Sequence, residues 1–230
     1  MEKVTEGSFV KVDYIAKKAE DNTVFDTTIK EIAEKHGIFS PSKFYEPILL
    51  VIGREWLPKI VEDSLLGKTV GESVEVDVPF ADAFGPHDPS KIKLVPRREF
   101  QKLQINPQKG EYVNISGQEG LILSVSPGRV RIDFNHKLAG KDLHYTVTIR
   151  KVINDELEKI QALINRRLPG ADISDSIIEI NGEALDVILP DRVRFYEYIQ
   201  FAKKNIAKDI GAILGKYTEV HFHETYPTKE

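Results

Sequence analysis

The chain has 230 residues, 41% of them hydrophobic and 30% charged, with a formal net charge of −4 and no cysteine. That length suits two or three units with real cores; the missing cysteine excludes disulfides and thiolate metal sites, and mild acidity without a Lys/Arg block argues against a nucleic-acid partner. No apolar run approaches the roughly 18 residues of a membrane span, and Met1-Glu-Lys-Val-Thr-Glu carries no apolar signal core, so a cytoplasmic protein without membrane contact is expected. Val10, Val12 and Tyr14 alternate with Lys11 and Asp13, the period of a strand with one buried face. Asp21-Asn22 marks a turn before a second strand, Thr23-Val-Phe-Asp-Thr. Ile29, Ile32 and Ala33 fit a short helix closing at Gly37, and Pro41 and Pro47 punctuate the excursion after it. Ile48-Leu-Leu-Val-Ile52 reads as a buried strand. Leu57, Ile60, Val61 and Leu65 keep helical spacing as far as Gly67. Val74, Val76 and Val78 alternate again, as do Leu143, Tyr145, Val147 and Ile149. Antiparallel strands crossed by one helix predict an α+β half-barrel.

Between Gly85 and His136 lies a block of different character. Residues 86–135 hold eight Lys/Arg against five Asp/Glu, and five prolines. Tyr112–Ile115, Leu121–Val125 and Val130–Phe134 read as strands, with Ser126-Pro-Gly-Arg129 as a hairpin turn. A small β domain inserted at residues 86–135 is expected. After Asp155 a third unit begins. Leu157, Ile160, Ile164 and Leu168 mark a helix closed by Pro169-Gly170. Ile177 to Leu189 form a hairpin around Asn181-Gly182, a long amphipathic helix occupies about 195–214, and Thr218 to Thr225 form a closing strand. Residues 155–230 thus read as a compact α+β module. Phe195, Tyr196, Tyr198 and Phe201 cover more than one helix face, which predicts a partner surface and a homodimer through this module. Arg97-Arg98 and Arg166-Arg167 read as solvated faces. His221 and His223 share a strand face, but neither Glu219 nor Glu224 is evidently placed as a third ligand, so they read as surface histidines and no metal site is expected.

One set of side chains, spread over about 130 positions, suits a single apolar cup: Tyr14, Phe25, Asp26, Trp56, Leu57, Ile60, Phe84 and Tyr145. They sit in Gly7-Ser-Phe-Val-Lys-Val-Asp-Tyr14, Val24-Phe-Asp-Thr27, Trp56-Leu-Pro-Lys-Ile60, Asp82-Ala-Phe-Gly85 and Leu138-Ala-Gly-Lys-Asp-Leu-His-Tyr145. In that order these segments resemble the FKBP-type peptidyl-prolyl isomerases over residues 1–85 and 136–152. Val95-Pro-Arg-Arg-Glu-Phe100 and Asn135-His-Lys-Leu-Ala-Gly-Lys141 mark the intervening block as similar to the insert-in-flap domain of the long class, which includes SlyD-type bacterial chaperones and large archaeal members.

The resemblance implies a catalytic domain at 1–85 and 136–152, a chaperone insert at 86–135 and an interaction module at 155–230. It implies catalytic roles for Tyr14, Asp26 and Tyr145 and a substrate wall of Phe25, Trp56, Leu57, Ile60 and Phe84. The Leu57 N–H would receive a ligand carbonyl. Unfolded or proline-containing polypeptides would be the partners, with no cofactor and no metal. Phe100, Leu103, Ile105, Leu121 and Leu123 are candidate contacts for unfolded chain, some of which must instead form the insert's own core. Two positions depart from the family: Ile60 replaces the floor tryptophan of the short members, and Phe84 replaces a tyrosine. Those departures leave macrolide sensitivity open. They also leave a rival reading, a non-catalytic polypeptide-binding chaperone with a degenerate cup. The closing Thr225-Tyr-Pro-Thr-Lys-Glu lacks the His/Cys-rich tail of SlyD-type members, so nickel delivery is not implied.

Overall fold

The computed structural model describes residues 2–226 and residue 228; Met1 and, in the closing segment, Pro227, Lys229 and Glu230 lie outside the described residues. In chain order the first elements are β1 (Phe9–Lys18), β2 (Val24–Thr27), α1 (Lys30–Lys35), β3 (Ile48–Val51), α2 (Lys59–Ser64) and β4 (Ser73–Val78). The next are β5 (Ile92–Pro96), α3 (Arg97–Lys102), β6 (Tyr112–Ile115), β7 (Gln118–Val125), β8 (Arg129–Asp133) and β9 (Leu143–Ile153). The chain closes with α4 (Glu156–Arg167), β10 (Ile177–Asn181), β11 (Ala184–Ile188), α5 (Ile199–Leu214) and β12 (Glu219–His223). Among the described residues, no helix is long and apolar enough to cross a membrane.

The first sheet runs β2-β1-β9-β4, with β3 also paired to β1, and every pairing is antiparallel. Alternation turns Val10, Val12, Tyr14 and Ala16 inward beside Val76, Val78, Leu143, Tyr145, Val147 and Ile149, and α2 lays Val61 and Leu65 across them. This is the predicted half-barrel. A bulge at Lys11/Val12 pairs Val12 with Ile149 but Lys11 with Lys151. The extra residue reverses the facing of the strand beyond it, so Ile153 points to the opposite side from Ile149.

That opposite side is covered too. Phe9, Leu49, Val51 and Ile153 share one buried cluster with Ile160, Leu163 and Ile164 of α4, Leu185 and Val187 of β11, and Ile206 and Ile210 of α5. A strand buried on both faces needs apolar residues at every position, which is why Ile48-Leu-Leu-Val-Ile52 does not alternate. The Arg pair 166–167, expected in solvent, belongs to this junction. The Arg166 guanidinium lies 3.6 Å from the Trp56 ring centroid, and Arg167 Nε and a terminal nitrogen donate to Asp209 at 2.6 and 2.8 Å. Sequence spacing gave no sign that Asp209, a full helix away, would face them.

The third sheet has the order β10-β11-β12, with β11 and β12 parallel. Asp155 caps α4 by accepting the Glu158 N–H at 2.9 Å. The long helix starts later than predicted: Phe195, Tyr196 and Tyr198 precede α5, and Tyr198 adopts φ 63° at its cap. Leu157, assigned to the apolar stripe of α4, is exposed.

The second sheet runs β5-β8-β7-β6 and closes its own core from Phe100, Val113, Ile122, Val130 and Ile132. The strand β5 and the helix α3 were not foreseen: the sequence assigned elements only to the second half of the block, and Pro89, Pro96 and Pro107 interrupt the periodicity of the first. Pro96 instead ends β5 and starts α3, which drops Phe100 into the core. Gly120 is required there: a Cβ would lie 2.5 Å from Ile132 Cγ2. Both chain crossings into this unit are tied at Asn135. Its Oδ1 accepts the Asp88 N–H at 2.9 Å, and its Nδ2 donates to the Asp88 carbonyl at 2.8 Å and Asp133 Oδ1 at 2.7 Å. His87 Nε2 lies 2.6 Å from Asp133 Oδ2 beside it.

Candidate active site

Tyr14 and Tyr145 sit on adjacent strands, β1 and β9, two residues out of direct opposition, since Ala16 pairs with Tyr145 and Tyr14 with Val147, and both point to the same face of the sheet. Their ring centroids are 6.2 Å apart, and Phe25 meets Tyr145 edge-on at 6.4 Å and 85°. Such tilted and edge-on pairs are the favoured aromatic geometries. A cleft of about 720 Å³ opens over Tyr145, walled by Trp56, Leu57, Pro58, Ile60, Ala83 and Phe84. Five of the eight predicted residues therefore line one hollow. Tyr14 and Phe25 pack beneath it through Tyr145, and Asp26 joins through Tyr14.

The Tyr14 hydroxyl donates to Asp26 Oδ2 at 2.5 Å. The other carboxylate oxygen accepts the Thr27 N–H at 2.9 Å and pairs with the Lys43 ammonium. Lys43 was missed by sequence reasoning; it arrives on the loop between α1 and β3, where no periodicity fixes side-chain direction. Burial first, and the Asp26 charge second, push the phenols up: Tyr14 far above its ordinary value and Tyr145 up to about 12. Raised phenols stay protonated and keep their donor. Isomerisation of a proline tetrapeptide should then be level from about pH 7.5 to about pH 9.5; a decline across that interval, measured at constant ionic strength, would assign an ionising phenol to catalysis.

The wall itself is built on a carboxylate that the sequence did not single out. Glu62 on α2 is 1% exposed. Its Oε2 accepts the N–H groups of Gly53 at 2.9 Å and Glu55 at 3.1 Å, and its Oε1 those of Trp56 at 2.6 Å and Leu57 at 3.2 Å. The loop wraps this carboxylate by taking left-handed backbone at Gly53 (φ 90°) and Glu55 (φ 55°). At Gly53 a Cβ would lie 1.8 Å from Glu6 Oε1. The Leu57 N–H, the donor implied for a ligand carbonyl, is thus already engaged, by the longest of the four bonds. A buried acid one turn after a Trp-Leu-Pro start was the available signal.

Phe84 stacks on His136 at 4.2 Å and 7°, so the rim of the cleft is a two-ring stack from the two flanks of the insert. Of the candidate chain contacts, Phe100 is a correction: it is wholly buried in the insert core and offers no surface. Ile105 packs half-buried against that core. Leu103 is exposed, and Leu121 and Leu123 are half-buried outside the core cluster. Leu94 and Tyr112, not foreseen, are also exposed. In the ladder Tyr112 pairs with Leu121.

Comparison with known proteins bears on both cleft and insert. Family models described as "FKBP26, IF domain" and "FKBP26_C-terminal" match residues 93–138 and 156–227. A "Short-type peptidyl-prolyl cis-trans isomerase" of Methanocaldococcus jannaschii is 36% identical over 155 residues, 67% of this chain and 98% of that protein. An "FKBP-type 16 kDa peptidyl-prolyl cis-trans isomerase" of Escherichia coli K12 is 30% identical over 112 residues, covering 46% of this chain and 74% of the relative. The "FKBP-type peptidyl-prolyl cis-trans isomerase SlyD" of Aeromonas hydrophila is 27% identical over 126 residues, 53% of this chain and 58% of that protein. With the two-tyrosine cup under an apolar cleft and an inserted β unit at its rim, these relatives establish that the chain belongs to the FKBP-type peptidyl-prolyl cis-trans isomerase family, in its long archaeal class with an insert in the flap, and is an isomerase.

Proposed function

We propose that the cleft over Tyr145 receives the proline ring of an unfolded or proline-containing polypeptide and that Tyr14, Asp26 and Tyr145 are the catalytic set. A prolyl amide turns over in tens to hundreds of seconds unaided because rotation breaks amide resonance. Midway the nitrogen is pyramidal and the carbonyl has lost charge separation. That state is less polar than either planar isomer, so a dry, rigid, aromatic cup favours it relative to water. Phe25, Trp56, Leu57, Ile60 and Phe84 supply the apolar area. Asp26 holds the Tyr14 hydroxyl and sets the field at the twisting bond. The observation that carries this reading is the Tyr14–Asp26 hydrogen bond, with the Tyr14 ring 6.2 Å from that of Tyr145 between centroids. Asp26→Ala should lower kcat/KM on a proline tetrapeptide tenfold to a hundredfold, about 1.4–2.7 kcal/mol, in a protease-coupled assay. Unchanged turnover would remove Asp26 from the mechanism, and no acceleration by the wild type would revive the degenerate-cup rival.

The proposal extends to the other units. Residues 86–135 hold unfolded chain near the cup through Leu103, Leu121 and Leu123, with Leu94 and Tyr112 beside them. Residues 155–230 form a homodimer through Phe195, Tyr196, Tyr198 and Phe201, all of them exposed, an apolar surface of the kind that marks an interaction site. A cytoplasmic site of action, without nucleic acid or membrane, fits the mild acidity and the folding clientele.

A further inference from the structure

The parallel register of β11 and β12 sets Asp186 opposite His221 and Ile188 opposite His223. Residues two apart on a strand share a face, so both imidazoles and the carboxylate project from the same side of the third sheet. Asp186 Oδ1 lies 3.2 Å from His221 Nδ1 and 2.6 Å from His223 Nε2. One ligand-type atom from each residue falls within 4.8 Å of the others. Ligand atoms around a tetrahedral zinc ion, bound at about 2.0–2.2 Å, are about 3.3–3.6 Å apart, so small rotamer adjustments convert this triangle into three coordination bonds.

The surroundings are arranged as supports for such ligands. His221 Nε2 lies 3.0 Å from Glu219 Oε2, which orients the ring and leaves Nδ1 toward Asp186. Asn181 Nδ2 donates to Asp186 Oδ2 at 2.5 Å and so leaves Oδ1 for the two histidines. Partners that fix tautomer and carboxylate orientation are the usual outer shell of protein metal sites.

We propose that Asp186, His221 and His223 form a binding site for a divalent first-row transition metal ion of the imidazole-preferring group, Zn²⁺, Ni²⁺ or Cu²⁺, with solvent completing the shell. The two histidines and Asp186 sit on neighbouring strands, so the ion clips the edge strand β12 to β11. This site lies in the C-terminal unit and uses no residue of the isomerase cup.

Titration of the full chain with ZnCl₂ by calorimetry should show one equivalent bound. His223→Ala and Asp186→Ala should each weaken binding at least about tenfold, and Glu219→Gln about tenfold to a hundredfold. His144→Ala, whose imidazole pairs with Asp77 on the first sheet, should bind as the wild type does. Since a misfolded variant also loses the site, Co²⁺ is added to the wild-type chain as a second measurement. It should give the intense visible bands of a low-coordinate cobalt centre, which one equivalent of Zn²⁺ should abolish. No zinc uptake by the wild type, equal affinity in the ligand variants, or cobalt bands absent from the wild type would overturn the assignment.

Discussion

Excision of residues 87–134, with the ends joined by a short glycine bridge, should leave tetrapeptide isomerisation within about twofold and reduce catalysed refolding of a proline-limited protein on the order of 100-fold. The first half of that result comes from where the cup is built. Tyr14, Phe25, Asp26, Trp56, Leu57, Ile60, Phe84 and Tyr145 all lie outside the excised stretch, as does His136, which stacks on Phe84. The insert closes its own five-residue core and lends nothing to the core beneath the cleft. The second half comes from effective concentration. A tetrapeptide reaches the cup by diffusion, but a long chain held at the rim presents its prolyl bonds repeatedly. The two assays are run on the same preparation, stopped-flow refolding beside the protease-coupled measurement. Parallel loss on both substrates would mean that the insert shapes the cup and does not capture chain.

Glu62→Ala should lower the thermal midpoint by roughly 6–20 °C, the equivalent of about 3–5 kcal/mol for a chain of this size. Four backbone N–H groups converge on this one carboxylate, and each buried donor left without an acceptor costs about 1–3 kcal/mol. Partial loop relaxation and entry of water bring the sum below the simple product. The loop so released carries Trp56 and Leu57, so kcat/KM on the tetrapeptide should fall as well, even at temperatures where the variant is folded. Differential scanning calorimetry and the tetrapeptide assay read the two effects separately. A midpoint within a degree or two of wild type would show that the four donors find other acceptors.

The half-barrel was legible because each of its strands buries one face, and period-two alternation in Val10–Tyr14, Val74–Val78 and Leu143–Ile149 reports that directly. The cup was legible because its side chains sit in short segments of fixed order. What escaped were relations between distant segments carried by charge. Lys43 on Asp26, Glu62 under the Trp56 loop, Arg167 on Asp209 and Asp186 between two histidines join residues up to 42 apart. No periodicity announces such a pair, since a lone Lys or Asp looks the same in solvent as in a network. The insert was half legible for another reason. Its hairpin obeys strand rules, whereas β5 and α3 meet at a proline that serves as the last residue of one and the cap of the other.

The bulge at Lys11/Val12 reaches further than its size. By turning Ile153 outward it helps present four apolar side chains, with Phe9, Leu49 and Val51, on the reverse of the first sheet, and α4, β11 and α5 are their shelter. A homologue that dispensed with that shelter would have to repaint those four positions in polar colours.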